Sequence, residues 1–229
     1  MFRLISVDLD ETVWPCKSVI DAAEQALCAW LSETAPRVIE AHDAGTMREH
    51  RRELMHRQPG IAHDVSAVRR ASLGDLLGEF GYSRTLANEA MAVFMAHRNR
   101  IEPFADAVPG LRALRRRHRL VSVTNGNSDP EQTPLRGIFH HSLTAADAGA
   151  AKPAPDLFEM AMALADATPA ESLHVGDDPR MDVEAARRTG LTAIWVNRAG
   201  IPWPVELPPP AAELTDLIQL ETWIAVRQR

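Results

Sequence analysis

Four short stretches of the chain concentrate the residues that can do chemistry. Asp8-Leu9-Asp10-Glu11-Thr12 sets two carboxylates and a hydroxyl at alternate positions. Thr124-Asn125-Gly126-Asn127 offers a hydroxyl and two amides. Lys152 stands before Pro153, and Gly176-Asp177-Asp178 is followed by Asp182. Carboxylates that converge on one point repel each other unless a cation lies between them, and hard oxygen donors of this kind suit Mg2+. A carboxylate can attack phosphorus and split a hydrolysis into two easier steps. A second acid nearby can give a proton to a leaving oxygen and later take one from water. A hydroxyl and an ammonium group can hold the remaining phosphoryl oxygens as charge develops on them.

Stretches so far apart in sequence need a scaffold that brings them together. Apolar runs supply one: Leu4–Val7 ends at Asp8, residues 120–123 end at Thr124, residues 172–175 end at Gly176, and Thr192–Val196 ends at Asn197. Short runs that are apolar throughout read as buried parallel strands. Helical patterns lie between them. One starts near Pro109 with Leu111 and Leu114, and one covers residues 153–166 with Leu157, Phe158, Ala161 and Leu164 on one face. A third covers residues 179–189, with Pro179 in its first turn and Gly190 as its stop. Strand and helix in alternation predict an α/β fold, a Rossmann-like doubly wound parallel sheet. In such sheets functional residues gather at the carboxyl ends of the strands, where side chains about 4.8 Å apart on neighbouring tips converge.

Residues 15–103 differ. They carry amphipathic helical spacing and no strand run: Ile20, Ala23, Leu27 and Leu31; Val68, Leu73, Leu76, Leu77 and Phe80; Ala90, Val93, Phe94 and His97. Pro15 and Pro103 mark hinges. The expected organisation is an α/β core of residues 1–14 and 104–229 with a helical insertion of residues 15–103. Pro202, Pro204 and Pro208-Pro209-Pro210 form an irregular connector before a last helix near residues 214–225.

Composition narrows the partners. A chain of 229 residues that is 45% hydrophobic can bury a sizeable core. Its net charge of -6 argues against a general nucleic-acid binder. The basic run Arg115-Arg116-Arg117-His118-Arg119 reads as a solvated helix end that complements the dipole. Cys16 and Cys28 show no framework spacing, so a disulfide-built secreted protein is not expected. Acids interrupt the apolar N-terminus within a few residues, so it reads as neither a signal peptide nor a membrane span, and a soluble cytoplasmic protein follows. His42, His50, His56 and His63 lack zinc spacing. His174, on a buried run, reads as a satisfied core histidine.

The Asp8/Asp10/Thr12 pattern, strand-end Thr124, Lys152-Pro153 and Gly176-Asp177-Asp178 with Asp182 resemble, in order, the four motifs of the haloacid dehalogenase superfamily. The resemblance implies that Asp8 is a nucleophile and Asp10 a general acid/base. It implies that Thr124, with Asn125 beside it, binds the phosphoryl group, and that Lys152 pairs with that group and with the nucleophile. It gives the Mg2+ ligands as Asp8, the Asp10 carbonyl and Asp177, supported by Asp178 or Asp182. The helical insertion resembles the family's C1 cap. Glu11 stands where members often have Asp or Asn, with its side chain expected to point away. The TNGN, HVGDD and Ile61-Ala62-His63-Asp64-Val65 stretches resemble the bacterial branch acting on flavin mononucleotide (FMN) and 5-amino-6-(5-phospho-D-ribitylamino)uracil.

The implied activity is Mg2+-dependent hydrolysis of a small-molecule phosphate ester through an aspartyl-phosphate, by a monomer or homodimer, with no nucleic-acid or membrane partner. Trp14 is expected either to line the substrate entrance, stacking on a planar ring, or to lie in the core. His63, Asp64 and Arg69 are candidate substrate contacts, although helix-surface polarity explains them equally well. Within the same fold a haloacid dehalogenase is the nearest rival, against which Asp10 counts. A phosphomutase and a non-catalytic phosphate sensor also use this scaffold.

Overall fold

A computed structural model of the chain describes residues 1–227. Along the chain β1 (Leu4–Val7) is followed by α1 (Cys16–Thr34), α2 (Pro36–Ala41), α3 (Ala44–Arg57), α4 (Val65–Glu79) and α5 (Leu86–Arg98). Then come α6 (Ala107–Arg115), β2 (Arg119–Thr124), β3 (His141–Thr144), α7 (Ala145–Ala148), α8 (Asp156–Ala165) and β4 (Ser172–Gly176). A wide turn at Pro179–Glu184 leads into α9 (Ala185–Arg188), β5 (Thr192–Val196), β6 (Ala212–Leu214) and α10 (Leu217–Arg227). The chain divides into two compact units, Met1–Pro15 with Glu102–Arg229, and Cys16–Ile101.

The first unit is built on a six-stranded, all-parallel sheet of order β3-β2-β1-β4-β5-β6. Central β1 is buried at every position and pairs with β2 on one side and β4 on the other, Ile5 standing opposite both Leu120 and Leu173. The strand order therefore reverses at β1, which opens a crevice at its carboxyl end. A core of Leu4, Val121, Val123, Leu157, Phe158, Ala161, Val183 and Trp195 packs a helical layer on the sheet. Burying each large apolar side chain of that core contributes about 1.5–3 kcal/mol. In α8 the buried residues Leu157, Phe158, Ala161, Met162 and Ala165 form one stripe, and Asp166 ends the helix in the left-handed region at φ 47°.

Two strands and one turn depart from the sequence expectation. β3 and β6 are edge strands that no apolar run in the sequence announces. The stretch over residues 179–189 is not one α-helix. Its first part is a π-type turn in which Val183 N reaches back to Asp178 O, capped by the Asp178 side chain. The wider ring displaces Asp182 inward, where it is buried.

The second unit is helical. Ala23, Leu27 and Leu31 of α1 pack with Leu73, Leu76 and Leu77 of α4 and Ala90, Met91 and Phe94 of α5. A buried polar cluster lies among these helices: Glu24 Oε1 accepts from both Arg51 and Arg69, and Arg69 stacks 3.6 Å from the Phe94 ring centre. No helix among the described residues is long and apolar enough to cross a membrane.

Candidate active site

The ladder between β1 and β4 continues one residue past β1, Asp8 N donating to Val175 O at 2.9 Å. Here the chain leaves the sheet in a tight loop. Val13 N returns to Leu9 O, Glu11 N to Trp14 O, and Glu11 takes a left-handed φ of 60°. Asp8 is thereby held at the strand tip, 6% exposed, while the Glu11 side chain is exposed. Thr12 is fully buried and its hydroxyl donates to Asp177 Oδ1 at 3.1 Å, which ties the tips of β1 and β4 together. Trp195 Nε1 holds the Asp177 carbonyl from β5.

Lys152 delivers its ammonium group to the same point. Its Nζ lies 2.6 Å from Asp8 Oδ1, 2.5 Å from Asp182 Oδ1 and 3.1 Å from Val123 O, so all three donors are engaged. The Asn125 side chain grips the Lys152 backbone at both polar atoms. Thr124 is buried at the end of β2, its Oγ1 accepting from Gly126 N. Asp182 reaches over Gly176, where any side chain would overlap its carboxylate, and its Oδ2 accepts from Asp178 N at 3.0 Å.

Electrostatics separate the acids. Burial pushes Asp8 well above the usual carboxylate range; Lys152 pulls it back, but Asp182 and Asp177 add to the rise. Burial likewise opposes charge on Asp182, yet Lys152 and His174 hold it below that range. Burial would lower Lys152, and Asp182 and Asp8 more than offset it. Burial and the Asp182 charge push Asp177 from 3.8 to about 7. One lysine charge thus faces three carboxylates, bonding Asp8 and Asp182 directly, and the cluster as a whole is short of positive charge.

This shortage is the test of whether Mg2+ fits. Oxygens of Asp8, Asp177 and Asp182 lie within 4.8 Å of one another. Asp182 has both oxygens bonded, by Lys152 and His174 and by Asp178 N, while Asp8 shares that same ammonium group and Asp177 receives the neutral Thr12 hydroxyl. Three carboxylates that share one ammonium group, Asp8 and Asp182 buried and Asp177 half-buried, present only oxygen donors and fit a divalent hard cation.

The structure therefore brings Asp8, Thr124, Lys152, Asp177 and Asp182 into one site around the tip of β1, with Asp10 in the adjoining loop. Of the other candidates, Trp14 follows its core alternative, and the Asn125 and Asp178 side chains bond to the backbone. Trp14 is fully buried, so no ring face is left for a substrate, and its Nε1 donates to Asp10 Oδ1 at 2.7 Å. Asn125, expected on the substrate, has its amide committed to Lys152. Asp178 caps the following turn through Arg180 N and Met181 N, and Asp182 is the one of the pair bonded to Lys152. His63 belongs to the helical unit, half-buried in the turn before α4; beside it Asp64 caps α4, and Arg69 is committed to Glu24. The sequence reading missed Ser6 altogether and took His174 only for core; the period-two spacing that sets His174 on the face of Gly176 was the available signal.

The family model for haloacid dehalogenase-like hydrolases matches residues 2–190. The chain is 31% identical over 199 residues to 5-amino-6-(5-phospho-D-ribitylamino)uracil phosphatase YigB of Escherichia coli (strain K12), covering 84% of this chain and 82% of that one. It is 35% identical over 130 residues to phosphoserine phosphatase of Thermus thermophilus, covering 54% and 52%. The solved structure of a 2-haloacid dehalogenase from Pseudomonas syringae pv. Tomato DC3000 superposes with a TM-score of 0.93 at 34% identity, covering 99% of this chain and 100% of that one. The chain belongs to the haloacid dehalogenase-like hydrolase family and is an enzyme of its phosphatase kind.

Proposed function

We propose that the chain hydrolyses a small cytoplasmic phosphate ester by attack of Asp8 on phosphorus, giving an aspartyl-phosphate that water then cleaves. The observation that carries this reading is the Asp8 carboxylate at the central strand tip, 2.6 Å from Lys152 Nζ, with a second acid, Asp10, in the adjoining loop. In this reading Asp10 protonates the leaving oxygen and then takes a proton from the attacking water. Thr124 and Lys152 hold phosphoryl oxygens. Because the lysine donors are all engaged, Lys152 does so by exchanging its Asp8 bond for a phosphoryl oxygen. Asp8, the Asp10 carbonyl and Asp177 would hold Mg2+, which when bound neutralises charge on the phosphoryl oxygens.

The substrate is read as FMN or 5-amino-6-(5-phospho-D-ribitylamino)uracil, supported by the likeness to the E. coli uracil-intermediate phosphatase. The helical unit is read as a C1-type cap, with His63 its candidate substrate contact. The test is kcat/KM for these two compounds, sugar phosphates and nucleoside monophosphates, with Mg2+ and with EDTA. A tenfold win for sugar phosphates or nucleotides, about 1.4 kcal/mol of transition-state binding, removes the flavin-pathway assignment and leaves the phosphatase one.

A second reading, dehalogenation of a 2-haloacid, is favoured by the likeness to the Pseudomonas syringae dehalogenase structure. Asp10 and the Thr12–Asp177 pair count against it, since the metal-free halide displacement needs neither a second acid nor a cation site. Release of halide from 2-chloropropionate in EDTA would establish it.

A further inference from the structure

Ser6 and His174 are register partners across the β1–β4 ladder, and both are fully shielded from solvent. A buried imidazole needs a partner at each nitrogen. His174 has them: Nδ1 lies 2.9 Å from Ser6 Oγ, and Nε2 lies 3.2 Å from Asp182 Oδ1. The Phe158 ring meets the imidazole edge-on at 4.9 Å and fixes its rotation.

The direction of these bonds follows from their ends. Asp182 accepts from Lys152 Nζ at Oδ1 and from Asp178 N at Oδ2, so the His174 contact at Oδ1 must be a donation and His174 Nε2 must carry a proton. Full burial favours the neutral ring, so with Nε2 protonated Nδ1 accepts, and the Ser6 hydroxyl, 2.9 Å from it and 3.3 Å from Leu173 O, gives its one proton to the nearer nitrogen. The chain of donation runs Ser6 O–H to Nδ1, then Nε2–H to Asp182 Oδ1. The same Oδ1 accepts from Lys152 at 2.5 Å, while Oδ2 is held by Asp178 N. Asp182 is thus clamped at both oxygens, with Gly176 clearing the space beneath it.

We propose that Ser6 and His174 are positioning residues for the phosphatase reaction: they fix Asp182, and Asp182 fixes the Lys152 ammonium group against Asp8. The inference rests on the function proposed above. Lysine is a point charge on a flexible stem and sets no geometry of its own. Its aim depends on the acceptors that receive it, and a displacement of about 1 Å at such a group costs on the order of 100-fold in rate.

Three variants and two readouts test this. With p-nitrophenyl phosphate and Mg2+, His174→Leu should lower kcat by roughly 10–100-fold while KM stays within about threefold. His174→Gln, whose side-chain amide can donate from near the imidazole Nε2 position, should recover most of that loss. Ser6→Ala should lower kcat by about 3–10-fold, the smaller effect of a partner one bond further away. Circular dichroism and thermal melts confirm folding, and if His174→Leu fails to fold, His174→Gln and Ser6→Ala carry the comparison. Nitrogen NMR of the wild type should show His174 as the Nε2–H tautomer, and the Lys152 ammonium resonance should shift in Ser6→Ala. A folded His174→Leu with kcat within twofold of wild type overturns the proposal, as does an Nδ1–H tautomer or an unshifted Lys152 signal. Those two NMR outcomes are independent of turnover. A wild type that hydrolyses no phosphate ester would sink the function while the NMR readouts still judge the relay.

Discussion

Asn125 holds Lys152 as one strand holds another: its Oδ1 accepts from Lys152 N at 2.7 Å and its Nδ2 donates to Lys152 O at 2.9 Å. A side chain leaving the tip of β2 thus fixes the backbone from which the ammonium group is aimed at Asp8. Asn125→Ala should cost about 1–3 kcal/mol, the range for two part-buried hydrogen bonds, and should lower kcat about tenfold. Asn125→Asp should be worse, because it turns a carboxylate oxygen toward the Lys152 carbonyl. Urea denaturation and initial rates check both. A rise in KM with kcat unchanged would restore the expectation that Asn125 touches substrate.

Asp8→Asn should separate stability from turnover. Burial and the neighbouring acids oppose charge on Asp8, so removing that charge relieves the metal-free site. The variant should melt at or above the wild-type temperature in EDTA. It should also lose at least 100-fold in rate, since acid–base help alone is worth about 10²–10⁴-fold and a nucleophile should matter no less. Retention of more than about a hundredth of the wild-type rate would exclude the covalent route.

What was legible in the sequence, and what was not, follows from burial. Central strands such as Leu4–Val7 are buried at every position, so they print an apolar run. β3 buries only Leu143, and β6 is three residues long beside a proline-rich connector. An edge strand exposed on one side leaves no such run. Asp8, Lys152 and Asp177 were readable because their types recur at strand tips where charge must converge. The types of Trp14 and Asn125 could not choose between roles for one reason: an indole or an amide beside a catalytic acid serves a ligand or the scaffold equally well, and only the partner distance decides. The turn at Asp178–Val183 has no sequence signature separating it from an α-helix, although it sets the position of Asp182.

Metal binding should depend on pH through Asp177. Its folded pKa is raised, from 3.8 to about 7, so without metal it contributes stability that is present below about pH 4 and is lost as pH rises through 7. A cation needs the ionised form and reverses this trend. In EDTA the melting temperature should therefore fall between pH 5 and 7.5. Added Mg2+ should raise it little at pH 5.5. At pH 7.5 the rise should be about 5–10 °C, taking saturation near 100 times Kd as about 2.7 kcal/mol. Equal Mg2+ shifts at both pH values would remove Asp177 from the metal shell.

Trp14→Phe tests whether the indole orients Asp10. The substitution keeps most of the buried ring and deletes the donor 2.7 Å from Asp10 Oδ1. A misdirected acid forfeits part of the 10²–10⁴-fold typical of proton transfer, so kcat should fall by about tenfold with stability reduced by about 1–2 kcal/mol. The loss should be smaller for p-nitrophenyl phosphate than for an alkyl phosphate, because a good leaving group needs less protonation. Equal losses for both substrates would mean that Trp14 acts on the fold and not on Asp10.

Arg198 should be a main stabilising contact of the α/β unit. Its guanidinium makes a two-pronged pair with Asp106, Nη1 to Oδ1 at 2.9 Å and Nη2 to Oδ2 at 2.8 Å. Its Nε donates to Thr12 O at 2.9 Å, and the group lies 4.0 Å from the Phe104 ring centre. One side chain thus joins the loop after Asp8 to the segment on which the chain returns to the sheet, and both charged partners are only 15% exposed. Exposed pairs are worth about 0–1 kcal/mol and broken buried ones cost about 3–5, so Arg198→Met should cost about 2–4 kcal/mol at pH 7. Arg198→Lys should recover less than half of this, because an ammonium group cannot span both Asp106 oxygens and Thr12 O together. Although burial opposes it, bonding to Arg198 and Leu217 N holds Asp106 below its ordinary value. Its contribution is therefore present above about pH 4 and is lost as pH falls through the depressed folded value. The gap between wild type and Arg198→Met should accordingly narrow as pH is lowered from 7 to 3. Urea denaturation across that range measures it, and a gap that stays constant with pH would show that Arg198 acts by packing on Phe104 and not through Asp106.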